Sequence, residues 1–203
     1  MTGGSDSAAR APRVLCVAGS PRRAGNSDRL LAAVESGVRS AGGVADLLVV
    51  ADAGIAPCRG CNACSSTGAC VVRDGMDAVY ERLDAADALV IATPVYFATV
   101  PAVLKALYDR CQPYWARRYV LGEPRAATRR PGALVLVGGG GDPFGSACAE
   151  TPTRSVMNVL DVELLEVLEA LDVDSPTDVT RRPDHLARAE EIGALLVQRA
   201  LAS

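Results

Sequence analysis

The chain has 203 residues, of which 49% are hydrophobic, so it is long enough for one domain with a substantial core. Its net charge is −3 and its basic residues form no stripe, which argues against nucleic acid as a partner. No apolar run approaches the roughly 18 residues of a membrane span, and the N-terminus lacks the apolar core of a signal peptide. We therefore expect a cytoplasmic protein without a membrane partner, with a disordered tail at 1–12 and one domain at 13–203.

The first half of the chain alternates short apolar runs with segments of helical spacing. The run RVLCVAG is closed by Gly-Ser-Pro, which predicts a buried strand, and Leu30, Val34 and Val38 then recur at helical intervals. DALVIAT is the clearest buried strand. The predicted elements are a strand at 13–19, a helix at 27–41, a strand at 44–50, a helix at 77–83 and a strand at 87–93.

The second half continues the alternation. Residues 98–111 predict a helix with Pro101 in its first turn, and the Arg-rich residues 112–131 are predicted to be irregular. The segment ELLEVLEAL has helical propensities, but it stands where the alternation requires a strand, and we predict a strand. The remaining predicted elements are a strand at 133–139, a helix at 151–162, a strand at 163–171 and a helix at 183–201.

Strands that alternate with helices indicate a parallel sheet covered on both faces. Five such strands predict an α/β, flavodoxin-like three-layer sandwich with the strand order 2-1-3-4-5. In this arrangement ligands bind beyond the carboxyl ends of the strands, where the strand order reverses. The loops after the first, third and fourth strands should therefore carry the site.

The loop GSPRRAGNSDRL joins the first strand to the first helix. Ser20, Asn26 and Ser27 offer side-chain donors, Arg22 and Arg23 offer positive charge, and the backbone N–H groups of the helix start point the same way. The alternative is an ordinary turn with an N-capping Asn or Ser. Because such a turn does not need so many donors, we predict a phosphate site.

Two further loops should meet the first one at the same edge. TPVYFATVP carries Tyr96 and Phe97, which either border a planar ligand or pack beneath the loop as local core. VGGGGDPFG carries four glycines, which let the backbone approach a ligand closely, or which simply form a flexible turn. Together the three loops predict a phosphorylated planar ligand. FMN fits better than a dinucleotide, because only one phosphate site is apparent.

A compact cysteine loop follows the second strand. Cys58, Cys61, Cys64 and Cys70 have the spacing C-x2-C-x2-C-x5-C. This spacing matches the motif that wraps a [4Fe–4S] cluster, whereas zinc sites usually use two separated knuckles. A redox disulfide would also account for these cysteines, and so would unliganded thiols that pack the loop. Because the loop follows a strand, we expect it at the same sheet edge as the flavin.

The segments GSPRRAGNSDRLL, TPVYFATVPAVLKALYDR and LVGGGG together resemble the NADPH-dependent FMN reductase family of the flavodoxin-like superfamily. The resemblance runs from about Val14 to about Gly141. The cysteine loop resembles the iron–sulfur flavoprotein branch, and also non-metallated relatives in which Asp-Asp-Met follows the cysteines. Here the corresponding residues are Asp74, Gly75 and Met76, which is a small departure.

The resemblance implies a role for each loop. The FMN phosphate would be held by Ser20, Arg22, Asn26 and Ser27. The ribityl chain and the ring would be bordered by Pro94, Val95, Tyr96, Phe97 and Ala98. The other side of the ring would be flanked by Gly138, Gly139, Gly140 and Gly141. Family members are commonly homodimers with the flavin near the subunit interface.

We therefore expect an enzyme in which FMN takes hydride from NAD(P)H and reduces a small electron-poor acceptor, such as a flavin, a quinone or one dedicated biosynthetic metabolite. No side-chain acid or base is required for that transfer, and we name no catalytic residue. One alternative is an electron-transfer protein with a [4Fe–4S] cluster on the four cysteines. Another is a non-enzymatic FMN and thiol redox sensor.

Overall fold

The computed structural model describes residues 10–141 and 143–203. Most of the predicted tail at 1–12 lies outside these residues. Its last part is attached to the domain, because Arg10 binds the Asp87 carboxylate at 2.8 Å and the Pro12 carbonyl accepts a hydrogen bond from the Val44 amide at 2.8 Å. No helix in the described ranges is both long and apolar enough to cross a membrane.

Five parallel strands form one sheet with the order β2-β1-β3-β4-β5, which confirms the predicted topology. The strands are β1 (Arg13–Ala18), β2 (Val44–Val49), β3 (Ala88–Pro94), β4 (Arg130–Val137) and β5 (Val162–Ala170). The helices are α1 (Asn26–Ser40), α2 (Cys64–Thr67), α3 (Met76–Ala85), α4 (Ala102–Asp109), α5 (Gln112–Tyr119), α6 (Ala147–Val159) and α7 (Pro183–Leu201).

The core consists of two layers, one on each face of the sheet. Alternate residues of β1 point to opposite faces, so Cys16 packs with α1 and α7 while Leu15 packs with α3, α4 and α6. Both faces of the central strands are buried. This burial explains why the strands are continuous apolar runs without polar alternation.

The segment at 163–171 is a strand, as predicted. It pairs with β4 along Arg130–Val137, with one irregularity between Gly132 and Ala133. Its helical propensities do not prevail, because pairing in the sheet satisfies its backbone groups and packs its apolar residues.

Two predicted helices have different limits, and one segment predicted to be irregular begins with a helix. The helix predicted at 98–111 begins only at Ala102, because Pro101 is its N-cap and a tight turn precedes it. The residues predicted to be irregular at 112–131 begin with helix α5, in which Pro113 occupies the first turn. The helix predicted at 151–162 begins earlier, at Ala147, and contains Pro152. The Cys148 carbonyl, which Pro152 leaves without its helical donor, accepts a bond from the Thr99 hydroxyl at 3.4 Å.

Candidate functional site

A cavity of about 190 Å³ opens at the carboxyl edge of the sheet, where β1, β3 and β4 end. It brings together nine of the thirteen residues predicted to hold the cofactor. These nine are Ser20, Arg22, Asn26, Ser27, Pro94, Val95, Tyr96, Gly138 and Gly139. The three loops therefore meet in space as the strand order requires.

The start of α1 supplies hydrogen-bond donors to this cavity. Its N-cap residue is Gly25, which has no side chain to cap the helix, so the alternative of an N-capping Asn or Ser is wrong. The amide N–H groups of the first turn are consequently left for a ligand. Ser20 and Ser27 are buried beside them, and the Ser20 hydroxyl oxygen accepts a bond from the Arg22 amide at 3.1 Å. This arrangement suits an anion.

Asn26 links the site to the loop after β5. Its side-chain amide donates to the Ser175 carbonyl at 2.8 Å, and its oxygen accepts from the Val179 amide at 3.2 Å. One of its two amide hydrogens is thus already used within the protein, which reduces what Asn26 can offer to a phosphate. Asn26 therefore connects the loop after β1 to the loop after β5, in addition to lining the cavity.

The sequence analysis missed the contribution of the loop after β5. Val173, Asp174 and Pro176 line the same cavity. The carboxylate of Asp174 lies close to the backbone of Gly139: a Cβ atom added to Gly139 would be 2.9 Å from the Asp174 Oδ1 atom. The rule that placed the other loops also applies to the end of β5, and it would have identified these residues. An acidic group in the wall weakens the attraction for anions, while Arg22 strengthens it.

The loop after β3 is a tight turn at residues 96–99. The Tyr96 and Thr99 backbones exchange hydrogen bonds of 2.8 and 3.0 Å, and Phe97 and Ala98 have positive φ values of 49° and 61°. Tyr96 lines the cavity, while Phe97 is fully exposed and Ala98 is buried. Packing of Phe97 beneath the loop is therefore wrong, and neither it nor Ala98 lines the cavity.

The glycine loop separates this cavity from an adjoining hollow of about 220 Å³. Gly138 and Gly139 line both hollows, whereas Gly140 and Gly141 line only the second one, together with Leu171. Each hollow is smaller than the roughly 300–1,000 Å³ of typical ligand pockets. A ligand the size of FMN therefore needs to extend along the glycine loop beyond the first hollow.

A separate cavity of about 310 Å³ is lined by all four cysteines of the loop. All of them are free thiols, and the described residues contain no group of three or more Cys, His, Asp or Glu placed to hold a single metal ion. The sulfur atoms thus share one cavity without converging on a point. Four cysteines are the donor set of a [4Fe–4S] cluster, in which each cysteine binds a different iron atom.

Helix α5, which the sequence analysis did not predict, covers this cysteine cavity. Trp115 lines the cavity, and the Arg117 side chain donates to the Gly68 carbonyl at 2.7 Å. Burial raises the pKa of the Cys64 thiol, a backbone hydrogen bond opposes the rise, and the neighbouring Cys70 thiol adds to it. The cysteine cavity shares no lining residue with the cavity at the strand ends.

The sequence profile described as "NADPH-dependent FMN reductase" matches residues 12–171. The chain belongs to this family. The match includes the loops after β1, β3 and β4 and the whole cysteine loop. It confirms the family predicted from the loop motifs.

The relatives of this chain are of two kinds. An iron–sulfur flavoprotein of Methanosarcina thermophila is 33% identical over 127 residues, which are 63% of each chain. An FMN-dependent NADH:quinone oxidoreductase of Hahella chejuensis is 31% identical over 123 residues, or 58% of this chain and 60% of the relative. The matched segment thus spans less than two thirds of either relative.

Solved structures agree with the fold. An NAD(P)H:quinone oxidoreductase from Methanothermobacter marburgensis superposes with a TM-score of 0.64 at 21% identity, covering 92% of this chain and 98% of that one. An azoreductase from Bacillus anthracis gives a TM-score of 0.66 at 17% identity, covering 90% of this chain and 99% of that one. At these identities the likeness concerns the flavodoxin-like fold alone.

Proposed function

We propose that this protein is an FMN-dependent oxidoreductase that takes hydride from NAD(P)H and reduces a small electron-poor acceptor such as a flavin or a quinone. The observation that carries the proposal is the convergence of three loops on one cavity at the carboxyl edge of the sheet. That cavity combines donors suited to a phosphate with backbone that a flat ring can approach.

Different residues of the cavity bind different parts of FMN. Ser20, Ser27 and the first turn of α1 hold the phosphate through N–H and O–H donors, and Arg22 adds charge. The ribityl chain and ring lie against the loop after β3, where Tyr96 is the polar side chain nearest the ring. Bound FMN supplies the hydride chemistry, while the protein positions it and excludes water.

The relatives support this function. The relative of Hahella chejuensis is named as an FMN-dependent NADH:quinone oxidoreductase, and a quinone is an electron-poor planar acceptor of the proposed kind. The homodimer that the family resemblance implies would place a second copy over the edge of the site, where Phe97 is fully exposed. Sedimentation of the FMN-loaded protein tests the homodimer, and a monomer at all concentrations would exclude it.

The test is an anaerobic titration of the FMN-loaded protein with NADH or NADPH. We expect the flavin absorption to bleach in proportion to the nicotinamide added and to recover when a quinone is supplied. Failure of the protein to retain FMN after reconstitution would refute the central claim. A protein that binds FMN, fails to react with either nicotinamide and reversibly oxidises its thiols would favour the redox sensor.

A second candidate function is electron transfer through an iron–sulfur cluster. The observation that favours it is the shared cavity of Cys58, Cys61, Cys64 and Cys70, and relatives named as iron–sulfur flavoproteins support it. These four thiolates would hold the cluster, which supplies one-electron chemistry when bound. We expect anaerobically purified protein to show a broad brown absorption beneath the flavin bands, and air to bleach it. A flavin spectrum unchanged by air would exclude the cluster.

A further inference from the structure

A buried arginine joins the two ends of the cysteine loop. Arg110 follows the last residue of α4 and is 1% exposed. Its Nη1 donates to the Ala56 carbonyl, two residues before the first cysteine, at 2.9 Å. Its Nη2 donates to the Val72 carbonyl, two residues after the last cysteine, at 3.2 Å. One guanidinium group therefore closes the loop at its base.

An aspartate reinforces this closure. The two carboxylate oxygens of Asp74 accept bonds from the two terminal nitrogens of Arg110 at 2.7 and 3.1 Å. The same carboxylate accepts a bond from the Ala56 amide at 2.9 Å and another from the Met76 amide at 3.0 Å. This two-pronged geometry is specific to arginine, because an ammonium group offers only a point charge.

The third guanidinium nitrogen takes no part in this closure. The Nε atom of Arg110 is buried and has no hydrogen-bond partner in residues 10–141 and 143–203. Arg110 also lines the cavity of the four cysteines.

The charges around Arg110 keep it protonated. Arginine keeps its proton in proteins, and its two hydrogen bonds to Asp74 hold the charge in place although the side chain is buried. The cysteine cavity therefore has in its wall a permanently charged guanidinium, which is paired with the Asp74 carboxylate. Four thiolates with a [4Fe–4S] core carry net negative charge, which such a cation stabilises.

We propose that Arg110 is the positioning residue of the cysteine cavity, closing the loop through its terminal nitrogens and holding its charge beside the cluster bound there. The proposal rests on the second candidate function. It adds the residue that sets how firmly the loop holds its occupant and how easily an electron enters. When one electron is added from an external reductant, no bond forms or breaks, and the added negative charge is stabilised by the guanidinium.

The experiment compares R110Q and R110K with wild-type protein reconstituted anaerobically with iron and sulfide. The matched control is R82Q, because Arg82 also binds an aspartate through two nitrogens, to Asp46 at 3.2 and 2.6 Å, and does not line the cysteine cavity. The readouts are iron and sulfide per chain, the reduction potential against a mediator, and tryptic cleavage after Arg59 in the metal-free protein.

We expect R110Q to shift the one-electron equilibrium with the mediator toward the oxidised protein at least tenfold, which corresponds to about 59 mV. Loss of loop closure should also speed cleavage after the exposed Arg59 at least tenfold relative to R82Q. R110K keeps the positive charge but loses the two-nitrogen hydrogen bonding of the guanidinium. Its reduction potential should therefore lie nearer to that of wild type, while its cleavage after Arg59 should remain fast. If R110Q does not fold, these R110K results test the proposal.

The outcomes separate the two claims. Wild-type protein that takes up no iron refutes the cluster, and it overturns this proposal with it. Wild-type protein that takes up iron, together with an R110Q variant of unchanged potential, overturns the role of Arg110 alone. Cleavage after Arg59 that is equal in R110Q, R110K and R82Q overturns the closure of the loop.

Discussion

Replacing Arg22 with glutamine tests whether the cavity at the strand ends holds the FMN phosphate. Arg22 lines that cavity beside the start of α1, and its side chain is exposed. A hydrogen bond to a charged group contributes about 1.5–3 kcal/mol, and exposure to water reduces this value. We therefore take about 1.4 kcal/mol, which predicts an FMN dissociation constant about tenfold higher in the variant.

Riboflavin provides an internal comparison, because it has the same ring and ribityl chain but no phosphate. Its affinity should stay within about twofold of wild type, since only the phosphate is within the proposed reach of Arg22. Titration of the metal-free protein, followed by flavin fluorescence, measures both constants. The FMN effect should also shrink at high salt, because the site is open to solvent.

The adjacent arginine is the matched control. Arg23 belongs to the same loop and is paired with Asp28 at 3.7 Å, but it does not line the cavity. Arg23→Gln changes the net charge by the same amount and should leave FMN affinity nearly unchanged. Equal losses in the two variants, or an equal loss of riboflavin affinity in Arg22→Gln, would refute the phosphate assignment.

Three further predictions concern stability, measured by urea unfolding of the metal-free protein. Gly75→Ala should lower the free energy of unfolding by about 3 kcal/mol, because the added Cβ would lie 1.5 Å from the Ala53 carbonyl oxygen. Gly138→Ala, whose Cβ would lie 3.5 Å from its nearest neighbour, should lower it little. Similar losses in the two variants would contradict the close approach at Gly75. The pKa of Asp74, lowered to about 2 from 3.8 chiefly by its arginine partner, gives about 2 kcal/mol of stability above pH 4. This contribution disappears as the pH falls toward 2. The difference in unfolding free energy between wild type and Asp74→Asn should therefore narrow on acidification. A difference that stays constant would contradict the stabilising role of the Asp74 carboxylate. Phe97→Gly should raise the unfolding free energy of the monomer by about 0.5 kcal/mol, because it relieves a left-handed backbone and removes no packing within one chain. A clear loss of stability in the monomer would show that Phe97 packs within its own chain.

The positions of the main site loops could be predicted because they depend on a rule of topology. Once five strands alternate with helices in a parallel sheet, the loops after β1, β3 and β4 must lie at one edge. Ser20, Tyr96 and Gly139 accordingly line one cavity. The same rule was not applied to the end of β5, which is why Asp174 was missed.

Helix α5 could not be predicted from its own residues. Its arginines and proline indicate an irregular segment, but Pro113 and Ala116 are buried and Arg117 binds the Gly68 carbonyl. Short helices are marginal by themselves and are stabilised mainly by tertiary packing. The partner in this case is a loop that lies far earlier in the chain.

The sequence by itself determined the alternation of strands and helices, the sheet order and the chemical character of each loop, because periodicity and residue type are local properties. Only the tertiary structure decided which of those residues share a cavity and which are braced against each other. Arg110 ends a helix like many other arginines, and Asp74 precedes one 36 positions earlier. Their pairing depends on two loop ends meeting at the end of α4, and burial of a charge is favourable only where that long-range geometry supplies its partners.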